Sequence, residues 1–403
     1  MPRRTPRFLA LAALAVAALV AVLAAGGCNS IGEHPAGAEL ARIRQSPEWR
    51  DERFQNAQPM WGDTRDALSR ILEKTPGDEP SAPVPVVRTD PALLARPPTS
   101  GLRVTWFGHS STLVEIDGVR VLTDPIWSDR ASPVEWAGPR RWYPPTIALD
   151  RLPPVDVVFI SHDHYDHLDT ATVLAMKDWK SIFVVPLGLG AHLARWGISA
   201  ARIVELDWWQ STRVGELTLT LTPSRHHSGR LSPQSDLTLW GGIALAGPAH
   251  RVYYSGDTGL HDAMVDIGTR LGPFDLALIE AGQYDADWPD WHLGPEQAVI
   301  AAGRVRAKAL IPVHWGLFKL AHHTWTEPVE RVLAGARCTG LAVLTPRPGE
   351  PIEPAGMSPA ATPKWWPETA WRTAAERPVV ATRDGVGDHR VEGLRCDAEA
   401  LSR

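Results

Sequence analysis

The sequence predicts an α/β protein, and three observations in its 403 residues support that class. Short runs rich in β-branched and aromatic residues recur between Leu102 and Val313, as buried strands do. After His167 these runs alternate with segments of helical apolar spacing, the pattern of sheets covered by helices. Metal-competent side chains follow the strands directly. Loops at one edge of a sheet pool residues remote in sequence in this way.

The length allows two domains, or one large α/β domain with extensions. Hydrophobic residues make up 44% and charged residues 22%, the balance of an ordinary globular protein. A formal charge of −5 without a basic stripe argues against a nucleic-acid partner. Residues 1–27 read as a signal or anchor segment: Arg3, Arg4 and Arg7 precede an apolar run from Phe8 to Ala25, then Gly26-Gly27-Cys28. That ending resembles a bacterial lipoprotein signal, in which the cysteine is lipidated and becomes the mature N-terminus, although Ala25 stands where leucine is usual. The alternative is an uncleaved transmembrane anchor, since such a run nearly spans a bilayer. Either way the expected location is the bacterial cell envelope, at a membrane facing the periplasm or exterior. Loss of residues 1–27 removes three arginines and no acid, taking the charge to −8, so attachment rests on the lipid or the helix.

Residues 28–100 form a lead-in. Ala38–Gln45 and Asp63–Leu72 have helical character, and Glu79–Pro98 is a proline-rich extended linker. The core domain, residues 101–350, opens with strands at 103–107, 112–116 and 119–123, the last two joined by an Asp117-Gly118 turn. His109 and Asp124 fall at strand ends, where either can hydrogen-bond a ligand imidazole and fix its tautomer.

The centre of the chain is the strand Val157–Ile160, which delivers Ser161 and then His162, His164, Asp166 and His167. Two residues apart in an extended segment, His162 and His164 point the same way and suit one ion. Asp166 and His167 are adjacent and face a second ion once the chain turns. Imidazoles and carboxylates suit zinc, and also manganese or iron.

Helices are expected at Thr170–Met176 and Leu189–Trp196, and strands at Ser181–Val185 and Arg202–Leu206. Glu216–Leu221 leads to His226-His227, one of which completes the first metal's set. Strands Leu237–Ala246 and Arg251–Tyr254 follow, and the second ends at Gly256-Asp257-Thr258-Gly259, where Asp257 can reach both metals. Strands Asp275–Ile279 and Ala309–Val313 come next, the latter ending at His314. Gly294-Pro295-Glu296 opens a helix, with proline in the first turn. The His322-His323 pair is expected on a solvated loop. Residues 351–403 read as a C-terminal tail, and Cys338 and Cys396 are either bridged or free. Eighteen tryptophans, many beside motifs, suit core packing or a lipid interface.

The order His162-x-His164-x-Asp166-His167, a lone histidine, Asp257 in Gly-Asp-Thr-Gly and a final His314 resembles the metallo-β-lactamase superfamily over about Leu102 to Pro348. The fold this implies is an αββα sandwich. Trp106-Phe107-Gly108-His109-Ser110-Ser111, Leu122-Thr123-Asp124-Pro125-Ile126-Trp127, Ala137-Gly138-Pro139-Arg140-Arg141, Glu205-Leu206-Asp207-Trp208-Trp209 and His292-Leu293-Gly294-Pro295-Glu296 resemble one branch. That branch holds the N-acyl-phosphatidylethanolamine-hydrolysing phospholipase D and its bacterial relatives.

The resemblance implies two divalent ions, zinc first and Mn2+ or Fe2+ as alternatives. His162, His164 and His226 would hold the first; Asp166, His167 and His314 the second; and Asp257 would bridge. The family's proline, two residues, histidine pattern fits Pro223-x-x-His226, with His227 in the place of the usual tryptophan. A metal-bridging hydroxide would attack a phosphodiester, with Asp166, Asp257 and His292 in the catalytic machinery. His292 would contact the phosphate or protonate the leaving alcohol. The expected activity is hydrolysis of an N-acylated or plain glycerophospholipid at a membrane. The alternatives are a lactonase or phosphodiesterase acting on a small soluble substrate, and a catalytically dead envelope binding protein.

Overall fold

A computed structural model describes residues 29–62, 75–231, 234–355, 357, 362–391 and 393–394. The expected helix Asp63–Leu72, the segment 1–27, Cys28 and Cys396 lie outside the described residues. Cys338 is disulfide-bonded. Among the described residues no helix is long and apolar enough to cross a membrane.

The lead-in carries helix α1 (Gly37–Ile43) and a small hairpin, β1 (Trp49–Arg50) with β2 (Arg53–Phe54). It is folded onto the domain, with Ile43 and Phe54 in the main core. The proline-rich linker also lies against the domain: Val87 N–H donates to the Pro348 carbonyl, and Asp90 caps α2 (Pro91–Leu94).

The first sheet begins as an antiparallel meander of β3 (Leu102–Gly108), β4 (Ser111–Ile116) and β5 (Val119–Thr123). It continues through β6 (Val157–Phe159), β7 (Ile182–Pro186) and β8 (Ile203–Leu206), all parallel. The second sheet repeats that plan. β9 (Ser211–Val214), β10 (Leu217–Thr222), β11 (Gly242–Ala246) and β12 (Arg251–Tyr254) are antiparallel. β13 (Leu276–Glu280), β14 (Ala309–Val313) and β15 (Ala342–Val343) add in parallel.

Alternation along each strand decides the layers. Leu102, Val104 and Trp106 of β3 meet Leu217, Leu219 and Leu221 of β10 between the sheets. The opposite faces carry helices. Leu113, Leu122, Val158 and Phe183 pack with α3 (Thr170–Ala175) and α4 (Gly190–Arg195). Tyr253, Ala277, Ile279 and Leu310 pack with α5 (Ala263–Arg270), α6 (Pro295–Arg304) and α7 (Glu327–Thr339). The architecture is an αββα sandwich.

The expected strand Leu237–Ala246 is shorter than its sequence pattern. Only Gly242–Ala246 is strand, because Leu239 N–H and Gly241 N–H bond the carbonyls of Leu187 and Ser161, across the sandwich. The described C-terminal residues pack as part of the domain. β16 (Pro351–Ile352) pairs with β3 and completes the first sheet. Trp365 stacks on Trp315, which stacks on Trp106, at centroid distances of 5.5 and 5.3 Å. His322 and His323 are buried, not solvated. His323 stacks on Tyr284 at 4.6 Å and accepts the Gln283 N–H at 2.9 Å, contacts that the sequence pair does not announce.

Candidate metal centre

Every donor singled out in the sequence follows the C-terminal end of a strand, and those ends share one edge of the sandwich. β6 leads to His162 and its neighbours, β10 to His226, β12 to Asp257 and β14 to His314. A backbone bridge ties the sheets there: His314 N–H donates to the His109 carbonyl at 2.7 Å, and His109 N–H to the Trp315 carbonyl at 3.0 Å. Gly256 takes φ +57, and a Cβ on it would lie 2.8 Å from Ser161 Cβ. Glycine is needed to set Asp257 this close to the ligand loop.

Three groups of donors result, each with its ligand atoms within 4.8 Å of one another, and the third joins Asp257 to Glu280, His292 and His314. His162, His164, His226 and Asp257 form the first; His109, Asp166, His167 and His314 form the second. In the first, His162 Nε2 and His226 Nε2 lie 2.8 and 3.3 Å from His164 Nδ1, and 3.7 and 3.8 Å from Asp257 Oδ2. In the second, His167 Nε2 is 3.3 Å from Asp166 Oδ2. Asp257 stands between them, with Oδ2 3.1 Å from His167 Nε2 and Oδ1 3.2 Å from His314 Nδ1. His227 belongs to none of the groups, although its ring lies 4.8 Å from that of His164.

The donors fit divalent ions. His226 Nδ1 donates to the Trp291 carbonyl at 2.8 Å, so its neutral ring turns an Nε2 lone pair inward. His167 Nδ1 is held at 2.7 Å by Asp124 Oδ2, while its Nε2, His314 Nε2 and Asp257 Oδ1 are buried without a hydrogen bond among the described residues. Such orphaned donors and acceptors are costly in a dry site. A cation satisfies the lone pairs together.

Burial draws His162, His226 and His314 well below the usual histidine range and His164 to about 4. The rings are therefore neutral, as ligands must be. Burial also pushes the Asp257 carboxyl up to about 7, against the pull of His167. A bound cation would reverse that shift.

Both strand-end candidates hold the site's donors in place. Asp124 binds His167 and also accepts Ser161 N–H at 2.7 Å and the Tyr254 hydroxyl. His109 Nε2 lies 2.8 Å from Asp166 Oδ2, bonding the carboxylate rather than an imidazole. His292 is placed beside the donors, with Nδ1 3.8 Å from Asp257 Oδ2 and 2.8 Å from Glu280 Oε2. Glu280 was missed because the expected strand stopped at Ile279. An acid closing an apolar strand was the available signal.

The lead-in contributes directly. Asn56 Nδ2 donates to the His226 carbonyl at 2.6 Å, and its Oδ1 accepts His226 N–H at 3.0 Å and Trp240 Nε1–H at 3.2 Å. Next to that ligand, Arg225 binds both oxygens of Asp290 at 2.9 Å and the Pro59 and Thr382 carbonyls. Asp290 in turn accepts the backbone N–H groups of Trp61 and Thr382 at 2.7 Å. Both terminal extensions therefore hold the His226 loop.

Residues 119–315 match the family described as Beta-lactamase superfamily domain. An uncharacterized protein of Mycobacterium tuberculosis is 46% identical over 372 residues, 88% of this chain and 98% of its own. The N-acyl-phosphatidylethanolamine-hydrolyzing phospholipase D 1 of Caenorhabditis elegans is 40% identical over 233 residues, 55% of this chain and 65% of that protein. Among solved structures, an isothiocyanate hydrolase from Delia radicum gut bacteria aligns with a TM-score of 0.50 at 19% identity, covering 62% of this chain and 98% of that one. That last likeness concerns the fold.

Two substitutions test these placements. His226→Ala is expected to lose bound metal while His227→Ala keeps it, measured by elemental analysis of purified protein; equal losses would contradict the grouping. Asn56→Ala is expected to weaken metal affinity by about 10- to 100-fold with the fold intact, read by competition with a chromophoric chelator and circular dichroism.

Proposed function

This chain belongs to the metallo-β-lactamase superfamily, within which it is a metal-dependent hydrolase, and from that premise we propose that it cleaves a glycerophospholipid phosphodiester in the phospholipase D sense. The observation that carries this reading is the pair of four-donor groups meeting at Asp257, in a chain 40% identical to a relative named for hydrolysing N-acyl-phosphatidylethanolamine.

His162, His164 and His226 would hold one divalent ion and Asp166, His167 and His314 a second, with Asp257 shared and zinc the best match to the donors. Bound there, two such ions would supply a water acidified to a pKa of about 7 and would polarise the phosphoryl oxygen. The chain's own residues do the rest. Asp124 keeps the His167 ring turned with Nε2 inward. Asp166 and Asp257 offset the positive charge of the pair. Glu280 engages His292 Nδ1, which leaves Nε2 to hand a proton to the leaving alcohol oxygen as the phosphorus–oxygen bond on its side breaks. Water supplies the hydroxyl that joins phosphorus, and the products are a phosphatidate and the free alcohol.

The test is metal content and activity on the full chain in detergent. About two metal equivalents per chain, with N-acylated or plain phosphatidylethanolamine preferred over a bis-aryl phosphodiester, are expected. Cleavage of the small diester alone would overturn the lipid substrate, and absence of both metal and activity after zinc or manganese addition would overturn the hydrolytic reading. Asp257→Asn is expected to keep the fold by circular dichroism and lower turnover by more than about 100-fold.

A further inference from the structure

The chain is docked into the domain from its first described residue. The Asn29 carbonyl accepts Trp196 Nε1–H at 2.8 Å. Ser30 Oγ donates to the Pro133 carbonyl at 2.8 Å, and the Ser30 carbonyl accepts Arg230 Nε–H at 2.8 Å. The apolar run ends at Ala25, and only Gly26, Gly27 and Cys28 separate it from Asn29. Fully extended, that stretch spans at most about 14 Å. A lipid on Cys28 would shorten the gap to one peptide unit. Neither case leaves room for a flexible tether.

The surface around this junction sets exposed apolar side chains among charged ones. A groove of about 670 Å³ opens there, where Val134, Trp136, Tyr165 and Leu174 stand beside the charged Asp129, Arg130, Glu135 and Asp169. Trp136 is 64% exposed, while the other seventeen tryptophans are buried or half-buried. Leu174 is 37% exposed, and Leu231, 74% exposed, follows Arg230, whose guanidinium reaches Thr170 of the same groove at 3.1 Å and covers the Tyr165 ring at 4.0 Å. Tryptophan with an apolar body and a polar N–H is suited to the headgroup boundary.

We propose that this face, formed by loop 128–136, the outer side of α3 and Leu231, rests in the headgroup layer of a phospholipid bilayer, so that the domain sits flush on the membrane. The inference rests on the reading of residues 1–28 as an anchor and extends the phospholipase proposal by saying which face meets the lipid. The chain that follows the anchor carries a net negative charge, so apolar contacts at Trp136, Leu174 and Leu231 add to the anchor in place of basic patches. Tyr165 walls the groove from between His164 and Asp166, which brings the metal-ligand loop to the bilayer side.

The test uses the full chain reconstituted in phosphatidylethanolamine–phosphatidylglycerol vesicles containing phospholipid brominated near the top of the acyl chain. Tryptophan emission is expected to be quenched, and most of that quenching to disappear in Trp136→Phe. Amide exchange in residues 128–136 and 170–175 is expected to slow several-fold on the vesicles, with no change around the exposed Val265 and Val386. Quenching unchanged in Trp136→Phe, protection centred on Val265 or Val386, or failure of the full chain to float with the vesicles would each overturn the proposal. Quenching and protection without lipid hydrolysis would leave this face assigned and reject the phospholipase reading alone.

Discussion

A carboxylate buried among imidazoles is the constraint on which the rest of the structure depends. Asp257 has 1% of its side chain exposed, and His162, His167, His226, His292 and His314 lie within 3.8 Å of its oxygens. Burial alone drives such a group toward its neutral form. His167, held against burial well above the usual histidine range by Asp257, Asp166 and Asp124, is the one ring that opposes this, while burial keeps His162, His226, His292 and His314 low. Cations between the carboxylate and the neutral lone pairs would therefore complete the compensation. The framework around it is correspondingly rigid. Gly256 admits the close approach, Asp124 and Ser161 fix the ligand loop, and the His109–Trp315 bridge locks the edges of the two sheets together.

Much of this was legible in the sequence because strand ends are local. An apolar run followed by a histidine or aspartate is a pattern of six or seven residues, and the sheets bring such ends together on one edge. The donors His162, His164, Asp166, His167, His226, Asp257 and His314 all carry that signature. What supports them does not. Asn56 sits 170 residues from His226, in a segment whose sequence has no strand pattern, and it acts through a reciprocal pair of hydrogen bonds to the His226 backbone. Asp290 gathers Trp61, Arg225 and Thr382 from three distant stretches. No periodicity encodes a contact of that kind.

The tryptophans divide along the same line. Composition flagged them without separating a core role from an interfacial one. Trp106, Trp315 and Trp365 stack in the sandwich behind the last histidine, where large rings fill the space that two twisted sheets leave at their ends. Trp365 thus packs the C-terminal residues onto the domain. Exposure singles out Trp136, which sequence context alone does not.

The stretch 29–62 joins the two themes. It begins pinned beside the groove, crosses the molecule through Ile43 and Phe54 in the core, and ends by clamping His226 and Asp290. A segment with both roles links them energetically. Metal binding favours the arrangement in which the His226 loop is formed, and that arrangement includes docking of the lead-in. Whatever holds the start of this stretch in place therefore acts on the same equilibrium as the ions at its end, through packed side chains and paired backbone groups and without movement of either sheet.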